Sequence, residues 1–115
     1  MMMRIIFLFV GMVVGGIFLS QPVMGEKTAS PGEKIFTELG CVECHHPEVK
    51  INGPALKTIA ATYGDIKRLL AYFKGDTGPI VEPERARTMM PRRRKIKKLS
   101  EDRQQALAEY IISSR

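Results

Sequence analysis

The stretch Cys41-Val42-Glu43-Cys44-His45 decides what this chain can fold around. Its two cysteines are the only ones in the chain, and they stand too close together to join distant segments as a disulfide framework does. The spacing suits two thiols that add across the two vinyl groups of one haem, and the next residue, His45, then reaches the iron. We therefore predict one covalently attached haem c, bound through Cys41 and Cys44, with His45 as an axial iron ligand.

Paired cysteines have two other common uses, a redox dithiol and a zinc site. A thioredoxin-like dithiol belongs to a βαβ frame, which the helical pattern of this sequence does not predict. A zinc site needs two more ligands at a separate place, and His46 is the only other histidine. Because His46 adjoins His45, it cannot reach the opposite face of the same haem, and we predict that it is solvated or caps a turn.

The N-terminus predicts export. A short positive start, Met1 to Arg4, precedes an apolar run of 15 residues, Ile5 to Leu19. That run has the length of a signal peptide and falls short of the roughly 20 residues of a membrane span. We expect cleavage after Gly25, which leaves a periplasmic domain, residues 26–115, without a membrane span; an uncleaved N-terminal tether is the alternative. The domain has 17 basic and 12 acidic residues, a net charge of +5.

Local signals predict an all-α fold. Ser30 and Pro31 begin a helix that Gly40 ends. Caps and glycine stops bound three more expected helices, over residues 55–63, 65–75 and 100–112. Three prolines and the absence of sustained periodicity predict that residues 76–99 form a long loop.

The chain resembles the small bacterial class I cytochromes c beyond its cysteine motif. The resemblance includes the helix that leads into the motif, the segment Asn52-Gly53-Pro54-Ala55-Leu56, a Met-Pro pair and a C-terminal helix. It implies four or so short helices wrapped around one haem, with the first and last helices crossing. It also implies that the carbonyl of Pro54 accepts a hydrogen bond from the His45 ring, which orients the ring and raises its basicity.

A methionine is the expected sixth ligand of the iron. Once residues 1–25 are removed, only Met89 and Met90 remain of the seven methionines. Successive side chains of an extended backbone point to opposite faces, so both cannot bind one iron. Pro91 biases Met90 toward extended geometry, and the resembling cytochromes place their ligand in the Met-Pro pair. We therefore predict Met90, with Met89 as the alternative.

These features predict a one-electron carrier, not an enzyme, that works as a monomer between exported or membrane-bound redox partners. The alternatives are a haem-containing subunit of a larger oxidoreductase complex and a ligand-binding haem sensor. The run Arg92–Lys98 has six positive charges in seven positions, which predicts either a solvated surface or a docking patch for partners with acidic surfaces. Nucleic acid would explain this charge but neither the export signal nor the haem.

Overall fold

The computed structural model describes residues 15–16 and 28–115. The predicted signal peptide, residues 1–25, lies outside this part except for Gly15 and Gly16. Residues 28–115 form five α-helices and two short 3₁₀ turns and contain no strand, which confirms the predicted all-α class. In chain order the helices are α1 (Pro31–Glu38), α2 (Leu56–Tyr63), α3 (Ile66–Lys74), α4 (Ala86–Lys97) and α5 (Glu101–Ile112). None of the helices described is long and apolar enough to cross a bilayer.

The boundaries of α1 follow local signals and confirm the predicted first helix. The hydroxyl of Ser30 accepts a hydrogen bond from the backbone N–H of Glu33 at 3.1 Å. Pro31 occupies the start of the helix, where a missing N–H removes no helical hydrogen bond. After α1, Gly40 turns the chain with a φ of 72°, in the left-handed region that residues with a Cβ avoid. This turn brings Cys41 into the interior, where it is buried.

Helices α1 and α5 cross at close range. A Cβ placed on Gly32 would lie 2.1 Å from the backbone carbonyl oxygen of Ala106, so this separation requires glycine. Beside the crossing, the rings of Phe36 and Tyr110 meet edge to face with centroids 5.4 Å apart. The crossing that the resemblance implied is therefore present.

Two glycines and one aspartate define α2 and α3 as predicted. Gly64, with a φ of 78°, ends α2. The carboxylate of Asp65 then accepts from the backbone N–H of Arg68 at 2.9 Å and caps α3. Gly75, with a φ of 84°, ends α3.

The segment 76–99 is not the loop that its prolines predict. Its second half forms α4, with Pro91 inside the helix. A proline there leaves the carbonyl of Arg87 without its usual helical donor. The helix persists because most of its other residues are alanine, methionine, arginine and lysine, which favour helix, and because Ile96 is buried in the core. The loop prediction is therefore wrong over residues 86–97.

A buried glutamine connects α5 to the end of α4. Ser100 caps α5 by accepting from the backbone N–H of Arg103 at 3.3 Å. One turn later, Nε2 of Gln104 donates to the carbonyl oxygens of Lys97 at 3.3 Å and Leu99 at 3.2 Å. These carbonyls lie at the C-terminal end of α4, where no later backbone N–H of the helix can donate to them. The contact holds the C-terminal end of α4 against α5.

The core lies where α2, α3, α4 and α5 converge. Its largest fully buried side chains are Phe73, Leu56, Leu69, Ile96 and Leu107, which together come from all four helices. Helix α1 adds Ile35 and Phe36 to the same cluster. A cleft interrupts this packing, and each of the five helices contributes to its walls.

Candidate cofactor site

An open cleft reaches into the core, and the space between its walls, open solvent included, is about 940 Å³. Most of the lining side chains are apolar, among them Phe36, Leu56, Leu69, Phe73, Ile96 and Leu107. A domain of this size builds only a thin core of its own, so a large apolar ligand in the cleft would complete the packing.

A single 3₁₀ turn, Cys41–Glu43, brings both cysteines to the cleft. The backbone N–H groups of Cys44 and His45 donate to the carbonyl of Cys41 at 3.1 and 2.9 Å and keep the segment coiled. Both thiols are free. Burial raises the pKa of the Cys41 thiol to about 11, against a smaller opposing effect of the nearby Arg92 guanidinium. A redox dithiol depends on a lowered thiol pKa, and the pKa of Cys41 is shifted in the opposite direction.

His45 also lines the cleft, and the loop that follows orients its ring. Nδ1 of His45 lies 2.7 Å from the carbonyl oxygen of Pro54, the pair that the family resemblance implied. With Nδ1–H donating to this carbonyl, Nε2 carries the free lone pair. Gly53 packs directly on the ring, since a Cβ there would lie 2.8 Å from Cε1 of His45. The arrangement leaves one imidazole nitrogen available to a metal.

The segment 52–54 is hydrogen-bonded to the cysteine motif at two more points. The backbone N–H of Gly53 donates to the carbonyl of Cys44 at 2.6 Å. The side-chain amide of Asn52 donates to the carbonyl of Glu43 at 3.2 Å. The loop that holds the His45 ring is therefore fixed to the motif that contains His45.

His46 is hydrogen-bonded to the loop that follows it. Its Nδ1 accepts from the backbone N–H groups of Glu48 at 3.0 Å and Val49 at 3.3 Å, so it takes the capping role, one of the two predicted for it. Within residues 15–16 and 28–115, no three His, Cys, Asp or Glu side chains come together as a metal-binding group. The structure therefore supplies no further ligands for a zinc site at the cysteine motif.

Helix α4 places Met89 on the cleft, whereas Met90 is not among the lining residues. Met89 also packs against the hydrophobic core. Seven residues make about two helical turns, so Ile96 lies on the same side of α4 as Met89. Ile96 is 1% exposed, and the rotation of α4 that buries it turns Met89 toward the cleft as well. This placement favours Met89 over Met90, the reverse of the choice that Pro91 suggested.

Two charged residues, Glu82 and Arg85, line the cleft without having been predicted. Glu82 has a φ of 47° and is the only non-glycine residue with positive φ in the described part of the chain. Its carboxylate pairs with Lys50, and this hydrogen bond lowers the pKa of the Glu82 carboxyl group. Both residues reach the cleft through the turn before α4, so no short sequence motif could have identified them.

The residues around the cleft fit an iron porphyrin. The walls are apolar, and the two thiols, one imidazole and one thioether all face the same space. Imidazole and thioether are established ligands of haem iron, and both cysteine thiols are free to form thioether bonds.

Comparison with known proteins finds matches among the cytochromes c. Residues 29–115 match the family model described as "Cytochrome c". A cytochrome c-551 of Pseudomonas denitrificans is 36% identical over 74 residues, which cover 52% of this chain and 90% of the relative. A cytochrome c-551 of Pseudomonas aeruginosa is 30% identical over 95 residues, 76% of this chain and 80% of the relative. A cytochrome c-551 of Stutzerimonas stutzeri is 29% identical over 110 residues, 89% of this chain and 90% of the relative.

Proposed function

This chain belongs to the cytochrome c family, and we propose that Cys41 and Cys44 attach one haem c covalently in the cleft. The observation that carries the proposal is the meeting of both cysteines, His45 and Met89 in one cleft. When bound, the haem supplies an iron that accepts and returns one electron. The chain is a cytochrome c-551-like electron carrier rather than an enzyme.

His45 holds the iron through Nε2 in this proposal. The hydrogen bond from Nδ1–H to the carbonyl of Pro54 selects the tautomer, orients the ring and raises the basicity of Nε2. The close packing of Gly53 on the ring restricts its rotation. These two contacts fix the orientation of the ring within the protein.

Met89 supplies the sixth ligand in place of Met90. A thioether that bound the iron together with His45 would favour ferrous iron and raise the reduction potential relative to two histidines. It also occupies the position that an oxygen-activating enzyme leaves open. The support for Met89 is its place on the cleft, since Met90 is about 100° further round α4.

The purified holoprotein tests the site directly. Its mass should exceed that of the polypeptide by one haem, and the haem should resist extraction into acidified organic solvent. Met89→Ala should abolish the weak far-red band of ferric iron–thioether ligation and open the reduced iron to carbon monoxide. Met90→Ala, the matched control, should leave both properties unchanged. The reverse pattern would move the ligand to Met90, and fast carbon monoxide binding by the unmodified protein would favour a ligand-binding sensor.

The partners of the chain are redox proteins, and we propose that they have acidic docking surfaces. Helix α4 contains no acidic residue, and four of the basic residues in the run 92–98 are exposed: Arg94, Lys95, Lys97 and Lys98. Cations at the end of a helix also complement its dipole, which accounts for some of this charge.

We infer export to the periplasm from the signal-like residues 1–25. The N-terminal sequence of the native protein tests this inference: a chain that begins at Glu26 supports cleavage, and a chain that begins at Met1 indicates a tether. Gel filtration of native extract separates a monomeric carrier from a subunit of a larger complex.

A further inference from the structure

We propose that Glu43 is a positioning residue that joins the two iron-ligand segments of the protein through Arg92. The inference rests on the haem site proposed above and adds a role for one of the two residues between the cysteines. Its carboxylate acts on the segment of Met89, and its backbone acts on the segment of His45.

The contact with α4 is an ion pair. Oε2 of Glu43 lies 3.3 Å from Nη2 of Arg92. Among the residues described, this is the only ion pair that α4 makes. The guanidinium of Arg92 also lies over Gly40, where its Nη2 would be 3.5 Å from a Cβ placed on that residue. Arg92 is therefore held against the segment that contains both cysteines.

The contact with the His45 side is a hydrogen bond. The carbonyl oxygen of Glu43 accepts from Nδ2 of Asn52 at 3.2 Å. Asn52 begins the segment whose Pro54 carbonyl lies 2.7 Å from Nδ1 of His45. Glu43 thus contacts both the loop that orients one proposed ligand and the helix that bears the other.

The position of Arg92 within α4 makes this ion pair important for Met89. The two residues are three positions apart, so they are neighbours on one side of the helix. The guanidinium of Arg93 lies over the ring of Tyr72 in α3, with its carbon 5.5 Å from the ring centroid. The remaining anchors of α4 lie further along: Ile96 in the core, and Gln104 of α5 at the carbonyl of Lys97. The turn of α4 that carries Met89 is therefore closest to the Glu43–Arg92 pair.

Because of Pro91, the position of Met89 depends more strongly on this ion pair. Pro91 cannot donate to the carbonyl of Arg87, so one helical hydrogen bond is missing between the first turns of α4 and its anchored half. Without the ion pair, the turn with Met89 is held to the rest of the protein by fewer contacts. The thioether should then leave the iron more often, and an added ligand should compete with it more effectively.

Reciprocal charge swaps test the inference. We would measure the affinity of imidazole for the ferric holoprotein at low ionic strength in Glu43→Lys, Arg92→Glu and the double variant. Each single variant should bind imidazole about three- to fivefold more tightly, because an exposed ion pair contributes only modestly and like charges have a similar effect of opposite sign. The double variant, which restores an ion pair, should return to within about twofold of the unmodified protein. Glu43→Gln keeps the shape of the side chain and replaces Glu43→Lys if that variant does not take up haem.

A second interhelical ion pair provides the matched control. Nη2 of Arg103 in α5 lies 2.6 Å from Oε2 of Glu38 in α1, and neither residue belongs to α4. Glu38→Lys and Arg103→Glu carry the same charge changes and should lower the midpoint of urea unfolding without changing imidazole affinity. The inference is overturned if the variants at 43 and 92 bind imidazole as the unmodified protein does, if the double variant keeps the higher affinity, or if the control pair raises affinity equally. In those cases the far-red thioether band of the unmodified protein would still support the proposed methionine ligation. Absence of that band would refute methionine ligation, and haem that extracts into acidified organic solvent would refute covalent attachment.

Discussion

The packing of Gly53 on the His45 ring leads to a quantitative prediction. A Cβ at this position would lie 2.8 Å from Cε1 and 3.1 Å from Nδ1 of the ring, and 3.1 Å from the carbonyl oxygen of Cys44. The shortest of these distances is about 0.7 Å below the ~3.5 Å at which carbon atoms make favourable contact. Gly53→Ala must therefore displace the ring or the backbone, and overpacking of this kind costs about 1–3 kcal/mol of unfolding free energy.

The assay is equilibrium unfolding of the ferric holoprotein in guanidinium chloride, read from the haem spectrum. Gly78→Ala is the matched control, because nothing lies within 4 Å of a Cβ at Gly78 and its φ is not positive. Its unfolding free energy should stay within about 0.5 kcal/mol of the unmodified protein. A displaced ring should also weaken the hydrogen bond to Pro54 and lower the basicity of Nε2, the proposed iron ligand, which would shift the reduction potential. Equal stabilities of the two variants would refute the account of the His45 pocket.

Three further predictions concern the helix crossing, the end of α4 and its basic face. Gly32→Ala should cost about 3 kcal/mol or more in urea unfolding, since the added carbon would lie 2.1 Å from the carbonyl oxygen of Ala106; a stable variant would show that α1 and α5 are not in contact there. Gln104→Met keeps the volume but removes both hydrogen bonds to the end of α4, and should lower the unfolding free energy by about 1–3 kcal/mol; an unchanged midpoint would contradict this capping role. Electron transfer to an acidic redox protein, followed by stopped flow, should slow as salt rises, because exposed charges are screened within about 8 Å at physiological ionic strength. Replacing Arg94 and Lys95 by glutamine should reduce that slope, and an unchanged slope would identify the basic face as a solvated surface only.

Most helix boundaries were predictable because they depend on neighbouring residues. Ser30, Asp65 and Ser100 each cap a helix through a hydrogen bond to a backbone N–H three residues later. Gly40 and Gly75 end helices by adopting a conformation that a Cβ would oppose. The cysteine motif is equally local, since five consecutive residues contain both thiols and the first imidazole.

Contacts between residues far apart in the chain were not predictable in the same way. The pairing of Glu43 with Arg92 joins residues 49 positions apart, and that of Lys50 with Glu82 joins residues 32 positions apart. Neither pair belongs to a periodic pattern or a motif. Each becomes visible only when α4 and the turn before it have been placed against the cysteine segment.

The sequence by itself determined the helical class, the caps of four helices and the cysteine motif, because each depends on a few adjacent residues. Tertiary structure alone decided the form of residues 86–97 and the methionine that faces the cleft. Proline rules favoured a loop with Met90 extended, but they describe one residue and its neighbour. Burial of Ile96 stabilises α4 although the helix contains Pro91. It also fixes which side of α4 faces the core, and Met89, two turns before Ile96, lies on that side.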